Sequence, residues 1–133
     1  MISDLLKRTK HLRDDGWLAE IIPMNSPDHP FHGVHSYIVS IIPGRSRANH
    51  YYTKKEEWIA LAAGNIVLGL EDTRTKEPET IVLDSRSDEY SVIHIPPFIA
   101  HSVKNPGPSE AGVIVFSRTP EDKVDTFPYV IET

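Results

Sequence analysis

Apolar and polar residues alternate in short runs along this chain, and turn residues separate the runs. A period of two marks a half-buried strand. Val34–Ile42 sets Val34, Ser36, Ile38, Ser40 and Ile42 against His35, Tyr37, Val39 and Ile41, and it ends at Pro43-Gly44. Trp17–Ile22 follows the turn signal Asp14-Asp15-Gly16 and alternates in the same way. Further strands are predicted over Arg47–Tyr52, Glu57–Ala63, Asn65–Glu71, Glu79–Leu83, Tyr90–Ile95, Ile99–Val103 and Gly112–Arg118. Turns fall at Gly64-Asn65, Thr75–Pro78, Pro96-Pro97 and Asn105–Ser109. Short strands spaced by about 8–12 residues predict an all-β sandwich or barrel. Eleven prolines agree, because proline suits turns and edge strands and breaks helices. Met1–Lys10 is open between a short amphipathic helix and a strand-like arm.

Composition narrows the function classes. The 133 residues suit one domain, and 39% hydrophobic with 25% charged residues is an ordinary globular balance. Cysteine is absent, so there is no disulfide framework, thiolate zinc site or cysteine nucleophile. A net charge of -5 argues against nucleic acid as a partner. No run approaches the roughly 18 apolar residues of a membrane span. The charged N-terminus lacks the apolar core of a signal peptide, so a cytoplasmic location is expected.

The densest chemistry lies in Gly44–Gly64, which reads G-x5-H-x-Y-x4-E-x6-G through His50, Tyr52 and Glu57. This resembles the first signature of the cupin superfamily, G-x5-H-x-H-x3–4-E-x6-G, with Tyr52 at the second histidine. Pro96–Asn105 resembles the other signature, P-x-G-x2-H-x3-N, with Phe98 at the glycine and His101 and Asn105 in place. The resemblance implies a single cupin domain over 1–133, a double-stranded β-helix (jelly-roll β-sandwich). An N-terminal arm would span 1–13, and a tail over 119–133 would pack on the barrel or on a partner subunit. It also implies that His50, Tyr52, Glu57 and His101 converge inside. His50, Glu57 and His101 would be the ligands of one divalent metal (Zn, Fe, Ni or Mn), or else no cofactor is bound.

A second resemblance covers most of the chain from Asp14. Arg47–Tyr52 is similar to the R-G-x-H-[YF]-Q stretch of the dTDP-4-dehydrorhamnose 3,5-epimerases. Asp15–Ile21, Gly69–Arg74 and Leu83–His101 follow their motifs in order. Asp125–Tyr129 is similar to the tail of the cupin domain in capsular-polysaccharide epimerases and reductases. This implies proton abstraction beside a ketone on a dTDP- or UDP-linked 4-keto deoxy sugar. His50 would be the base, Tyr52 or Tyr37 the proton donor, and His101 or a metal the positive charge. Glu57 would orient His50 or bind the ion. Arg47, with Arg45 and Arg74, would bind the diphosphate; Lys54, Lys55 and Arg86 read as solvated. A lysine that those enzymes carry near the Glu57 position has no counterpart in this reading. A homodimer is expected.

Two other functions stay open: a metal-dependent small-molecule cupin (dioxygenase or isomerase), and a non-catalytic sugar-binding cupin. Several remaining residues read as structural. His29, His32 and His35 read as a polar loop leading into a strand, with a metal clip as the alternative. His94 reads as a locally bonded strand residue, Trp58 as packing, and Asn105 as part of its turn.

Overall fold

The computed structural model describes residues 2–22, 35–118 and 123–131. Two five-stranded sheets face each other. One has the order β1 (Asp4–Arg8), β9 (Tyr90–Ile95), β6 (Glu57–Ala63), β11 (Ala111–Ser117), β4 (His35–Ile41). The other has the order β12 (Phe127–Pro128), β5 (Ser46–Tyr51), β10 (Ile99–Lys104), β7 (Asn65–Asp72), β8 (Pro78–Asp84). The pairings are antiparallel. This is the expected all-β jelly roll. No helix among the described residues is long and apolar enough to cross a membrane.

The alternation read from the sequence explains the interior. Ile59, Leu61, Ile93, Ile95, Val113 and Val115 from the first sheet meet Ile66, Leu68, Leu70, Ile99 and Val103 from the second. On β6 the opposite face is buried too. Trp58 and Ala60 pack with Tyr90, Val92 and Phe116, and Ala19 and Ile21 lie against them. They are covered by a separate hairpin of β2 (Lys10–Arg13) and β3 (Gly16–Ala19), turned at Asp14-Asp15. Trp58 therefore packs under this flap, stacked on His94 at 4.5 Å. His94 also bridges Asp4 and Glu56 at 2.8 Å each, well outside the sheet interior.

The arm is a strand rather than a helix, because β1 completes the first sheet against β9. Tail residues 123–131 fold back on their own barrel. β12 pairs with β5, and Phe127 stacks on Tyr51 at 5.3 Å. The loop histidines His29 and His32 lie outside the described residues.

The two motif turns are held by side chains at their ends. Asn105 is fully buried and donates to Ile41 O and Ser109 O while its Oδ1 accepts from Gly107 N. It ties the β4–β5 turn to the β10–β11 turn, which is the turn role expected of it. Phe98 stands at a motif glycine, and its φ is +70°. The turn still requires left-handed backbone, and a side chain there costs on the order of 1–3 kcal/mol. Hydrogen bonds from Phe98 N to Tyr52 O (2.6 Å) and from Thr73 N to Phe98 O (3.0 Å) hold it in place.

Candidate active site

Between the sheets opens a cavity of about 410 Å³, lined by His35, Tyr37, Arg47, His50, Tyr52, Glu57 and His101 over a floor of Ile59, Val103, Val113 and Val115. Small-ligand sites span about 300–1,000 Å³. Both sheets supply its polar groups. Tyr37 and Glu57 come from the first sheet, while His50 and His101 come from neighbouring strands of the second.

A bulge sets the wall of β5. His50 pairs with His101 and Ala48 with Ser102, so Asn49 is the extra residue. Ala48 (φ +72°) and Asn49 (φ +59°) are both left-handed. Plain alternation would turn Arg47 away from His50. The inserted residue changes the phase, so both reach the cavity.

The polar groups form one connected set. The Tyr52 hydroxyl lies 3.0 Å from His50 Nε2. The His50 ring meets His101 edge-on at 4.8 Å. His101 Nδ1 donates to Ile99 O (3.2 Å), which fixes the ring. His101 Nε2 lies 3.1 Å from Glu57 Oε1, a close polar contact that misses hydrogen-bond alignment. The Tyr37 hydroxyl donates to Glu57 Oε2 at 3.1 Å.

Lys55 is the residue that sequence reasoning misplaced. It is buried (4% exposed), with Nζ 3.5 Å from Glu57 Oε2 and 4.7 Å over the Tyr52 ring. It stands behind the cavity wall, and its Nζ makes no hydrogen bond among the described residues. The chain thus carries a buried lysine beside Glu57 after all. The signal was available: Lys55, Glu57 and Ile59 share a parity, and Glu57 faces inward. Lys54, one residue earlier, is exposed.

Electrostatics follow from this packing. Burial holds the His50 imidazole down at about 4, with the His101 and Lys55 charges adding to it and Glu57 opposing. Burial pushes Glu57 up, but the adjacent His101 imidazole and the charges of Lys55 and His50 outweigh it and hold the carboxyl at about 2. At neutral pH the site holds a neutral His50 base and an ionised Glu57.

The tail anchors the loop that carries these groups. The Asp125 carboxylate accepts from the backbone N–H groups of Thr53 (2.9 Å), Lys54 (3.0 Å) and Lys55 (3.1 Å), and from the Thr53 hydroxyl. Burial pushes this carboxyl up, yet these donors prevail and hold it at about 2. A depressed carboxyl stabilises the fold above its unfolded value near 4, and that contribution fades as pH falls towards 2. Asp125→Ala is expected to lower the melting temperature at pH 7 and to lose most of that deficit at pH 2–3; thermal denaturation across pH checks it.

The arginines separate. Arg47 lines the cavity and also a shallow depression next to it, whereas Arg45 lines only the depression. Arg74 does not line the cavity. It lies in the β7–β8 turn, 3.3 Å from Asp72 and over the Phe98 ring, where the aspartate two residues earlier captures it. His35, which the alternation puts on the same strand face as Tyr37, opens β4 and lines the cavity 5.5 Å from it.

The expected metal ligands do converge: one donor atom each from His50, Glu57 and His101 lies within 4.8 Å of the others. Spacing and donor type suit a divalent ion. Charge does not. Lys55 already neutralises the one carboxylate, which leaves two imidazoles and a phenol to hold a dication. An ammonium and a dication that share one carboxylate repel each other, which weakens any ion held there. The residues present do not fit a resident metal.

Residues 13–127 match the model of the polysaccharide biosynthesis C-terminal domain. The chain belongs to that family. No curated protein sequence matches it. Among solved structures, this polysaccharide biosynthesis C-terminal domain is similar to a dTDP sugar isomerase from Desulfovibrio desulfuricans G20 (TM-score 0.84, 20% identity, 96% of this chain and 83% of that one). It is also similar to QdtA, a sugar 3,4-ketoisomerase from Thermoanaerobacterium thermosaccharolyticum solved with TDP (TM-score 0.75, 18% identity, 95% and 87%). The third is the capsular polysaccharide assembling protein CapF from Staphylococcus aureus (TM-score 0.68, 21% identity), of which the chain spans 35% while 96% of the chain is covered. These likenesses agree with the jelly-roll fold described above.

Proposed function

We propose that the protein is a sugar-nucleotide isomerase or epimerase that moves a proton next to the ketone of a dTDP- or UDP-linked 4-keto deoxy sugar. The observation that carries this is His50: a neutral imidazole in a hexose-sized cavity, 3.0 Å from a phenol. A base adjacent to a proton donor is what removal and return of a carbon-bound proton require. The names of the structural neighbours, which include a dTDP sugar isomerase and a 3,4-ketoisomerase, support the same reading.

In this proposal His50 takes the proton from the carbon beside the ketone. The enolate oxygen forms against the cavity wall that carries His101 and Tyr37, where the Tyr37 hydroxyl turns from Glu57 Oε2 to meet it. Tyr52, beside the base, returns a proton to the same face, which suits a keto shift; return from Tyr37 would invert the centre. Glu57 holds Tyr37 and His101 in place, and Lys55 balances its charge. Arg47 at the mouth binds the diphosphate, with Arg45 nearby. We take the location as cytoplasmic, where nucleotide sugars are substrates. We also take the protein as a homodimer: β4 ends its sheet and carries Ile38, 72% exposed.

The test is deuterium wash-in from heavy water into dTDP- and UDP-4-keto-6-deoxyglucose, followed by NMR. Exchange at the carbon beside the ketone is expected. Absence of exchange with either sugar would overturn the reading. The acidic limb of kcat/KM is expected near pH 4, not near 6.5, because the free enzyme's His50 stays unprotonated down to about 4. A pH–rate profile reads this directly. Arg47→Ala is expected to raise KM roughly 10-fold with little change in kcat, since it removes a diphosphate contact made equally in ground and transition states.

A further inference from the structure

The cavity presents a histidine–carboxylate–histidine donor set that a divalent ion would accept on spacing alone. Directly behind its carboxylate lies a lysine ammonium, 3.5 Å from Glu57 Oε2, buried and without a hydrogen bond among the described residues. Burying such a charge is costly unless it answers an opposite one, and among the described residues the acid beside it is the carboxylate that a metal would need. We propose that Lys55 is the built-in cation of this pocket: it neutralises Glu57 from behind, so that His50, Glu57 and His101 exclude divalent metals. Its removal converts the same three residues into a metal site.

The arrangement of the other groups agrees. His101 is already oriented by its Nδ1–H bond to Ile99 O, leaving Nε2 turned towards Glu57, as a ligating imidazole would be. The donors are therefore preorganised, and what stands against an ion is the countercharge. Tyr52 adds to the same effect, since a neutral phenol brings no negative charge and its ring face lies 4.7 Å from the Lys55 ammonium.

The experiment compares purified wild type with Lys55→Met and the near-isosteric Lys55→Gln, each checked for folding by near-ultraviolet circular dichroism. Zn²⁺ and Co²⁺ are titrated calorimetrically, and Co²⁺ is followed by its visible absorption. The wild type is expected to carry no stoichiometric metal and to show no shift in melting temperature on adding Zn²⁺. At least one folded Lys55 variant is expected to bind one equivalent, at least about 100-fold more tightly than wild type. That binding should disappear when His101→Ala is added. Lys55→Arg, which keeps the charge, is expected to bind as weakly as wild type. One equivalent of metal in the wild type, lost on His101→Ala, would overturn the proposal, and so would folded Lys55→Met and Lys55→Gln proteins neither of which gains affinity. Metal content is measured without substrate, so this result is independent of the deuterium exchange experiment.

Discussion

Replacing His50 with alanine is expected to lower the rate of deuterium exchange into a 4-keto sugar nucleotide by roughly 10²–10⁴-fold, the usual contribution of a positioned acid–base group. The physical basis is specific. The imidazole is half-buried on β5, its Nε2 faces the cavity beside the Tyr52 hydroxyl, and the surrounding burial keeps it unprotonated across the working pH range. Because the ring projects into open volume and not into the aliphatic core, the same change is expected to leave the melting temperature almost unaltered. Added imidazole should restore part of the exchange by occupying the space the ring vacates. An unchanged exchange rate in a folded His50→Ala protein would remove the base from the mechanism and leave ligand binding as the better account. Tyr52→Phe offers the contrast: it keeps the base and deletes the nearby donor, so exchange and turnover should separate.

Much of this site could be read from the chain because strand alternation converts spacing directly into facing. The β6 boundaries, Glu57 to Ala63, follow from the pattern alone, and so does the inward parity of Glu57, Ile59 and Leu61. The turn glycines supplied the register: Gly64 has φ +75°, and a side chain there would lie 3.1 Å from Ala111 backbone. What alternation misses is a change of phase. The bulge at Asn49 brings Arg47 to the same wall as His50, and no simple count of odd and even positions reports that. Charge runs hide direction in a different way. Lys54-Lys55-Glu56-Glu57 looks solvated as a block, yet its second and fourth members turn inward and form the buried pair, while Glu56 turns outward to His94. Arg74 shows the converse. Its distance along the chain suggested a substrate contact, but the local Asp72–Arg74 turn chemistry satisfies it first.

Glu57→Gln is expected to lower stability strongly, by about 3–5 kcal/mol, because it removes the carboxylate that pairs with a buried ammonium among the described residues. In a chain of this size that corresponds to roughly a 10–15 °C fall in melting temperature. The reverse change should cost less. In Lys55→Met the Glu57 carboxylate keeps the Tyr37 hydroxyl and the His101 imidazole, whereas Lys55 in Glu57→Gln keeps only the face of the Tyr52 ring. The double variant Lys55→Met/Glu57→Gln removes both charges, so it should recover part of the loss. Urea denaturation of the four proteins closes the cycle. A coupling near zero would mean that the two charges are screened by solvent, and Lys55 would then play no part in setting the electrostatics of the pocket. A large coupling, with Glu57→Gln clearly worse than Lys55→Met, is what the geometry requires: the carboxylate has several polar partners, and the ammonium has one carboxylate among the described residues.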